Sequence, residues 1–493
     1  MFLGVDIGSS RTKGVLVRPD GSVVGVALRS HDISYPHPGW AEQDAEAVWW
    51  AEVAGVAREL TARYAGQIDG VCVTGLGPCL LVADADDRPL RPAILYGIDT
   101  RADIEIGELT ARFGEPASGP LSAQSVAPKL LWIRRHEPDV WSRASRMLTA
   151  HSYAVLRLTG SYALDHHSAS AYAPLYDTTR HDWDLDAAAE VAPGMTLPHL
   201  LWSSEVVGTV SSAAEVATGI PRGTPVAMGA FDAWLDAASV GVKDPGDRLL
   251  NYGSTMVLVT VTSQKPAGPC LRATPGVFPG TATVAVGTAA SGALTKWFGS
   301  IVGDVPLEAL LDEASRMPAG ADGLVVLPYF AGERAPISDP RARGLIVGLT
   351  LGHGRGHLFR ALLEATAFAA RDLLVESGRC LTSPPAPLKA AGTGGSRGLW
   401  TQIVSDVTGQ EQLLSRVTLG ACYGAAWLAG VARGSVSAST SWNEVVDTVR
   451  PDPRNAAVYD RLYRVYRDLY PATAAAMHEL ADFDRGTSGM AEP

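Results

Sequence analysis

The sequence has 493 residues, of which 46% are hydrophobic and 19% charged, with 51 glycines and 32 prolines. This length predicts two large domains rather than one compact core, and the composition is typical of a globular protein rich in turns. The formal net charge of −11, from 41 basic and 52 acidic side chains, argues against a surface for nucleic acid or an anionic membrane.

The five cysteines are scattered and lack the Cys-x-x-Cys spacing of zinc sites. This pattern favours a reducing compartment, with neither zinc nor a disulfide framework. The N-terminal stretch MFLGVDIGSSR has no basic start and reaches Asp6 after a few apolar residues, unlike a signal peptide. The uncharged region at about 277–295 is broken by Gly, Thr, Ser and Pro and does not predict a membrane span. We therefore expect a cytoplasmic protein.

The first half of the chain alternates between strand and helix patterns. Short β-rich runs at 2–7 and 14–17 surround the turn GSSRTK, which predicts a hairpin, and GSVVGVALRS continues as a third strand. From Asp44, apolar residues recur at helical spacing, and GVCVTGL then predicts a buried strand. Strands that alternate with helices predict α/β layers.

A second hairpin is predicted at 248–262, RLLNYGSTMVLVTVT, where two apolar runs surround a Gly-Ser-Thr turn. Because it has the shape of the first hairpin, we infer a duplicated architecture, with the hydrophilic stretch at 241–248 as the crossing between halves. A long amphipathic helix is predicted at 357–377, and two shorter helices follow it. The last residues, 483–493, are expected to form a disordered tail.

The first candidate site is the stretch VDIGSSRTKG, in which a strand delivers Asp6 into a turn. The small or polar residues of this turn are Gly8, Ser9, Ser10, Thr12 and Lys13. Such turns let backbone N–H groups and hydroxyls approach phosphate oxygens, and a carboxylate at the strand end suits Mg²⁺. An ordinary polar hairpin explains the same residues, and the spacing does not match a P-loop.

Two further turns have the same character. NYGSTM, at 251–256, is a small-residue turn between apolar strands, and a hairpin turn chosen for its backbone geometry is the simpler explanation. AAGTGGSRGLWTQIVSDVTG, at 390–409, places a glycine-rich turn before a helix, whose N-terminus offers free N–H groups and a positive dipole end. The small residues of that turn are Gly392, Gly394, Gly395 and Ser396.

Acidic residues mark two other stretches. MGAFDAWLDAASVG places Asp232 where a strand becomes a helix, with Asp236 one turn later on the same face. The stretch at 327–349 is dense in Gly, Pro, Arg and acidic residues, which indicates a structured loop near a cleft. In that loop Glu333 and Arg334 either contribute to the site or form a buried ion pair that shapes it.

Taken together, these stretches resemble the FGGY carbohydrate kinases, the sugar-kinase branch of the actin/Hsp70-like ATPase superfamily. Seven motifs occur in the family's order: LGVDIGSSRTKGVLV, PGWAEQDAEAVWW, LRPAILYGIDTRA, GAFDAWLDAASVG, LNYGSTM, LPYFAGERAPISDPRARGLIVGLTLGH and AGTGGSRGLWTQIVSDVTG. The resemblance implies an α/β fold with two ribonuclease-H-like domains flanking a deep catalytic cleft. It implies a sugar-binding domain at 1–243 and an ATP-binding domain at 244–482.

The resemblance also implies the roles of individual residues. Asp6 corresponds to the Mg²⁺-associated carboxylate, and Asp232 to the general base. The residues implied to bind ATP are Gly8, Ser9, Ser10, Thr12, Lys13, Gly253, Ser254, Thr255, Gly392, Gly394, Gly395 and Ser396. Those implied to bind the sugar are Gly77, Pro78, Asp99, Arg101 and Asp232. Because phosphoryl transfer has a loose transition state, a base with an ordinary pKa of about 4 is sufficient. Relatives are commonly homodimers, so a homodimer is expected.

The acceptor is less well defined by the motifs. The sugar-side stretches resemble xylulokinases, but Leu-Gly-Pro-Cys at 76–79 stands where many of those have Gln-Met-His-Gly. Likewise Gly-Ile-Asp-Thr-Arg at 97–101 stands in place of Trp-Asn-Asp-x-Arg. Xylulose is therefore the default acceptor, and an aldonate such as gluconate or a polyol is the alternative. A non-catalytic ATPase switch or sugar sensor is an alternative of another class, against which the presence of a candidate base argues.

Overall fold

The computed structural model describes residues 1–64, 67–263, 273–379, 381, 385–392 and 394–487. The strands of the first half are β1 (Phe2–Ile7), β2 (Arg11–Val17), β3 (Val23–Ser30), β4 (Glu42–Gln43), β5 (Gly70–Gly75), β6 (Leu81–Ala83), β7 (Ala93–Ile94), β8 (Arg146–Leu148), β9 (Ala163–Asp165), β10 (Tyr176–Asp177), β11 (Asp182–Trp183), β12 (His199–Leu201), β13 (Val206–Thr209) and β14 (Pro225–Ala227). Its helices are α1 (Ala51–Arg63), α2 (Asp103–Phe113), α3 (Val126–His136), α4 (Pro138–Trp141), α5 (Ala150–Thr159), α6 (His166–Ala169), α7 (Leu185–Val191), α8 (Ser212–Thr218) and α9 (Asp232–Ser239).

The second half follows the same alternation of strands and helices. Its strands are β15 (Arg248–Tyr252), β16 (Met256–Ser263), β17 (Ala273–Pro275), β18 (Thr281–Gly287), β19 (Val325–Leu327), β20 (Leu345–Val347), β21 (Leu388–Ala391), β22 (Gln412–Ser415) and β23 (Val445–Val449). Its helices are α10 (Gly292–Ile301), α11 (Leu307–Ser315), α12 (Arg355–Gly378), α13 (Leu399–Thr408), α14 (Ala421–Ala432) and α15 (Ala456–Thr487).

Each half builds one large mixed sheet, and the two sheets have the same strand pattern. The first has the order β13-β14-β5-β1-β2-β3, and the second the order β17-β18-β16-β15-β21-β22-β23. In the first, β1 is antiparallel to β2 and parallel to β5. In the second, β15 is likewise antiparallel to β16 and parallel to β21. The duplicated architecture predicted from the two hairpins is therefore confirmed.

The helix predicted from Asp44 begins where the sequence indicates. The Asp44 carboxylate accepts the N–H groups of Glu46 and Ala47, both at 2.8 Å, which caps the otherwise unpaired donors of a helix start. The first turns, at 45–50, are wound as a π-helix before α1 begins. Buried residues then recur along α1 on the side that packs against β2 and β3.

The predicted tail is wrong in its first residues. Helix α15 continues to Thr487, so residues 483–487 are helical, while residues 488–493 lie outside the described residues. The final turns have tertiary partners, because Arg341 donates to the carbonyl of His478 at 2.9 Å and to the carboxylate of Asp482 at 2.8 Å. Tertiary contacts of this kind stabilise a helix more than local propensity does.

A shared core joins the two halves. Helix α14 belongs to the second half of the chain but packs against β1 and β5 of the first sheet and against α9. The approach is close enough that a Cβ atom on Gly4 would lie 2.0 Å from the carbonyl oxygen of Cys422, and one on Gly424 would lie 1.9 Å from that of Leu235. Helices α9 and α14 are therefore in close contact where the two halves meet, and the cleft lies beside them. Within the described residues, no helix is both long and apolar enough to cross a membrane.

Candidate active site

Three aspartates lie at the centre of the molecule, close enough to influence one another electrostatically. Asp6 is the penultimate residue of strand β1, Asp232 is the first residue of α9, and Asp236 follows one helical turn later. Burial, together with the charges of Asp232 and Asp236, raises the pKa of Asp6 well above its ordinary value, while Lys13 opposes this. The Oδ1 atom of Asp6 is buried without a hydrogen-bond partner among the described residues. The cluster therefore has unsatisfied negative potential that suits a cation.

The environment of Asp232 differs from the sequence-based expectation. Its Oδ1 atom accepts the N–H group of Ala233 at 2.8 Å, and the side chain is half-buried. Burial, and secondarily the charge of Asp236, raises the pKa of Asp232 to about 7, not the ordinary value of about 4. Partial removal of the carboxylate from solvent disfavours its charged form.

Hydrogen bonds to its backbone fix the turn between β1 and β2. The N–H group of Gly8 donates to the Arg11 carbonyl at 2.9 Å, and Gln43 donates from its amide to the carbonyl of Ser9 at 2.9 Å. Ser9 and Ser10 occupy the tip, as predicted. Lys13 lies on the strand beyond and donates to the Leu419 carbonyl at 3.2 Å.

One predicted phosphate ligand is placed differently. The side chain of Thr12 is fully buried and its hydroxyl has no hydrogen-bond partner among the described residues. Because β2 alternates its side chains between the two faces of the sheet, and Thr12 pairs with Ile7 while Lys13 pairs with Asp6, Thr12 lies on the opposite face from Asp6 and Lys13. Its hydroxyl does not reach the cleft in this structure.

A cavity of about 530 Å³ opens between the second and third turns, within the range of small-molecule sites. Four predicted residues line it, namely Gly253, Ser254, Gly394 and Ser396. Three others do not line it: Thr255, Gly392 and Gly395. Of these, Gly395 has a backbone role, because a Cβ atom there would lie 2.4 Å from the Ala391 carbonyl oxygen.

Sequence reasoning missed the other wall of this cavity. It is formed by α10, α11 and the start of α13, with Gly292, Lys296, Leu307 and Trp400 among the lining residues. Gly292 approaches the second turn closely, since its N–H group donates to the Gly253 carbonyl at 3.0 Å. The signal was present in SGALTKWFG, a small-residue helix start directly after a strand, but nothing in the sequence alone connects it with a turn some forty residues earlier.

The predicted sugar-side loops meet Asp232 through Phe231. A Cβ atom on Gly77 would lie 1.9 Å from the ring of Phe231, the residue that immediately precedes the base. Tyr96, which sequence reasoning did not single out, hydrogen-bonds the Ser9 side chain and is affected by the charge of Asp232. These contacts bring Gly77, with its chain neighbour Pro78, and Tyr96 to the same end of the cleft as the first turn.

Gly97 has a neighbour that the sequence does not reveal. A Cβ atom on Gly97 would lie 2.5 Å from the side-chain amide nitrogen of Gln124. The glutamine therefore fills space beside position 97 that a larger residue there would need.

Asp99 and Arg101, predicted to bind the sugar, instead form a fully buried ion pair. Arg101 donates to the Asp99 carboxylate at 2.7 Å, and both side chains are 0% exposed. Arg101 also donates to Glu42 at 2.8 Å and lies 4.0 Å from the centre of the Trp40 ring, a cation–π contact. Asp99 accepts the N–H group of Ala41 at 2.7 Å. In this structure neither side chain faces the cleft, and the pair instead stabilises the conformation of the loop.

The loop containing Glu333 and Arg334 is fixed by backbone hydrogen bonds. Glu333 accepts the N–H groups of Ala289 and Arg334, both at 2.7 Å, and Arg334 donates to the Thr288 carbonyl at 2.9 Å. Burial raises the pKa of Glu333 to about 7. Both side chains therefore tie the loop to the end of β18. Among the described residues, the contacts of Glu333 and Arg334 do not include the direct ion pair that was the structural alternative.

Two halves built on sheets of the same strand pattern, with a nucleotide-sized cavity and carboxylates where they meet, are typical of the actin/Hsp70-like superfamily of ATP-binding proteins. The model of the FGGY family of carbohydrate kinases, N-terminal domain, matches residues 1–240, and that of the C-terminal domain matches residues 250–433. The chain therefore belongs to the FGGY family of carbohydrate kinases. As such it transfers phosphate from ATP to a sugar.

The chain is similar over nearly its full length to characterised members. It is 30% identical to the xylulose kinase of Escherichia coli strain K12 over 95% of this chain and 98% of that one. It is 26% identical to the gluconokinase of Bacillus subtilis over 98% of each chain. The crystal structure of the xylulose kinase of Rhodospirillum rubrum matches with a TM-score of 0.87 and 33% identity, covering 97% of this chain and 99% of that one.

Proposed function

We propose that the cleft phosphorylates a hydroxyl group of a small ketose, with Asp232 as general base. The observation that carries this proposal is the position of Asp232. Asp232 begins helix α9. On one side of it lies the contact between Gly77 and Phe231. On the other side lie the Asp6 carboxylate and the first turn. A hydroxyl held there would lie between the sugar-side loops and the nucleotide.

The nucleotide would bind in the second domain. Gly253, Ser254, Gly394 and Ser396 line one cavity, and the start of α13 supplies a helix N-terminus beside it. Backbone N–H groups at such turns suit phosphate oxygens. The triphosphate would extend from this cavity towards Ser9 and Ser10 of the first turn, with Lys13 adding positive charge nearby.

Mg²⁺ fits the carboxylate cluster. Asp6 has a buried oxygen without a partner, and the three mutually repelling carboxyl groups would be stabilised by a divalent cation. Among the described residues, no three His, Cys, Asp or Glu side chains are placed to hold a metal by themselves. Mg²⁺ is usually held by one or two carboxylates together with substrate phosphates. Asp6 would hold the ion, which would neutralise charge on the phosphates.

The protein's own residues position the acceptor hydroxyl group and remove its proton. Asp232 accepts a hydrogen bond from the acceptor hydroxyl and holds its oxygen in line with the terminal phosphate. As the bond between the hydroxyl oxygen and the terminal phosphorus forms, the bond from that phosphorus to the bridging oxygen breaks and releases ADP, while the hydroxyl proton passes to the Asp232 carboxylate. Closure of the two domains would exclude water, which otherwise competes as the acceptor.

For the acceptor we propose xylulose first. The chain is similar to xylulose kinases in sequence and in structure, which supports a ketopentose. The chain's own loops differ from the xylulokinase pattern at Pro78 and Gly97, and Gln124 occupies space beside the latter. An aldonate such as gluconate, or a polyol, is the second candidate, because the chain is also similar to a gluconokinase.

We further propose that the two domains bind different substrates, as the family implies: residues 1–243 bind the sugar and residues 244–482 bind the nucleotide. The limits of the two matching family models, 240 and 250, support this boundary. A cytoplasmic location is proposed because ATP and reduced thiols are found there. The homodimer stays a prediction, which light scattering would test.

The experiment is an assay of ADP release with a panel of ketoses, polyols and aldonates. We expect turnover that depends on the sugar and is greatest with xylulose. Turnover without sugar that no member of the panel stimulates would contradict the kinase function. Preference for gluconate over every ketose would contradict only the acceptor.

A further inference from the structure

Residues from four elements, among them Asp236 of the aspartate cluster, meet at a point to which the proposed mechanism assigns no part in removing the hydroxyl proton. They are Lys13 on β2, Asp236 on α9, Asn251 on β15 and Ala421 at the start of α14. We call these four residues the junction. Two come from the first half of the chain and two from the second, so the junction connects the halves.

Asp236 is the centre of the junction. Its Oδ2 atom accepts a hydrogen bond of 3.1 Å from the side-chain amide of Asn251. Its carboxylate also accepts the backbone N–H group of Ala421, and the charge of Lys13 stabilises it. Lys13 itself donates to the Leu419 carbonyl at 3.2 Å, two residues before Ala421. The carboxylate therefore binds one strand and one helix start of the second half at the same time.

Two glycines leave room for these contacts. A Cβ atom on Gly420, where φ is +73°, would lie 2.7 Å from Oδ1 of Asp236. A Cβ atom on Gly392, where φ is +87°, would lie 2.4 Å from Oδ1 of Asn251. The space around both side chains is thus filled by backbone, and their positions are fixed by packing as well as by hydrogen bonds.

The junction lies between the two parts that must be aligned for transfer. Asp232 is one helical turn before Asp236 on the same face of α9. Asn251 lies two residues before Gly253, which begins the turn that lines the nucleotide cavity. Movement of Asp236 relative to Asn251 therefore changes the distance between the general base and the phosphates.

We propose that Asp236 is a positioning residue that sets the place of the general base relative to the bound nucleotide by tying α9 to β15 and to the start of α14. This inference rests on the proposed function. Misplacement of a reacting group by about 1 Å reduces a rate by up to about 100-fold, so the link affects the rate of transfer more than the binding of either substrate.

The test compares Asp236→Ala, Asp236→Asn, Asn251→Ala and the double variant Asp236→Ala/Asn251→Ala in the full-length chain. kcat and KM for the sugar are measured with saturating ATP, and the Kd of ATP is measured by calorimetry. Glu105→Ala is the matched control, because Glu105 is also a buried carboxylate on a helix and binds Arg135 of the neighbouring helix at 3.4 Å. Thermal unfolding of every variant separates loss of stability from loss of alignment.

We expect Asp236→Ala to reduce kcat by about 10- to 100-fold while KM for the sugar and Kd for ATP change less than threefold. Asp236→Asn, which keeps one acceptor oxygen, recovers part of that loss. The double variant is no slower than Asp236→Ala alone, because both substitutions break the same link. Glu105→Ala lowers stability without changing kcat.

Other outcomes overturn the inference. Three results would each show that the contact between Asp236 and Asn251 does not position the base. They are a near-normal kcat in Asp236→Ala, equal losses of kcat in Asp236→Ala and Asp236→Asn, and additive losses in the double variant. A wild-type protein without sugar-dependent turnover would instead overturn the proposed function. If Asp236→Ala does not fold, Asn251→Ala breaks the same hydrogen bond from the other side, and its unchanged kcat would overturn the inference.

Discussion

Gly77 and the ring of Phe231 are packed so closely that a Cβ atom on the glycine would lie 1.9 Å from an atom of the ring. Phe231 immediately precedes the candidate base, so this contact links a sugar-side loop to the position of Asp232. The packing explains why a glycine occupies a position where xylulokinases commonly have methionine.

The contact predicts that Gly77→Ala displaces Phe231 and with it the start of α9. We expect kcat/KM for the sugar to fall by about 10-fold or more, since overpacking forces neighbouring groups to shift. Steady-state kinetics measure the loss, and Gly77→Ala/Phe231→Leu should restore part of it. Gly107→Ala is the control, because a Cβ atom there meets nothing within 4 Å; an equal loss in the control would contradict the explanation.

Replacing the candidate base gives a second prediction. Asp232→Asn keeps the size of the side chain but cannot take the hydroxyl proton, so kcat should fall by about 10²- to 10⁴-fold. The Kd of ATP, measured by calorimetry, should stay within threefold, because Asp232 does not line the nucleotide cavity. A near-normal kcat would remove Asp232 from the role of base.

The raised pKa of Asp232 predicts the pH dependence of the reaction. Burial raises this pKa to about 7, so below that pH the carboxyl group is protonated and cannot accept the hydroxyl proton. We expect kcat/KM for the sugar, which reports on the free enzyme, to fall about tenfold per unit below pH 7 and to level off above it. A profile that stays flat down to pH 5 would contradict this environment for Asp232.

The buried pair of Asp99 and Arg101 predicts a large effect on stability. Arg101→Ala would leave the Asp99 carboxylate buried without its partner, since both side chains are 0% exposed. Breaking such a pair from one side costs about 3–5 kcal/mol, measurable as a decrease in the free energy of unfolding in urea. Arg112→Ala is the control, because its ion pair with Glu190 is exposed and contributes about 0–1 kcal/mol. Similar small losses in both variants would show that the Asp99 pair is not structural.

Asp6 predicts the dependence on magnesium. Asp6→Asn removes the negative charge of the carboxylate whose Oδ1 atom is unpartnered and should raise the Mg²⁺ concentration needed for half-maximal activity by about 10-fold or more, in line with the weakening of one of few protein ligands. Titration of activity with MgCl₂ at fixed ATP measures the shift. Ser22→Ala, on an exposed turn, serves as the control. An unchanged Mg²⁺ requirement would place the ion elsewhere.

Local patterns predicted the elements well because their causes are local. The hairpins around Gly8 and Gly253 are confirmed, since β-branched runs and small turn residues determine such units over about ten residues. The position of Asp232 at the start of α9 is confirmed for the same reason. The tail was wrong because residues 483–487 continue a helix that Arg341, from a distant loop, holds in place.

The side-chain contacts within the site were harder to predict, because they depend on which distant segments of the chain meet. A buried ion pair and a sugar ligand have the same residue types, so the sequence could not show that Arg101 contacts Glu42 and Trp40 rather than the cleft. Nothing near Gly97 indicated that Gln124 would fill the space beside it. The raised pKa of Asp232 likewise follows from burial and from its neighbour, neither of which a motif reports.

The packing of α14 on the first sheet has a consequence for how the protein is made. Phe2, Val15 and Val17 complete their core with residues between Ala421 and Ala429. During synthesis on a ribosome, this face of the first sheet therefore stays uncovered until α14 has been made, whereas the core on its other face is drawn from residues 1–228 alone. A fragment ending near residue 243 would expose this apolar surface and should aggregate, unless the missing helix is supplied as a separate peptide.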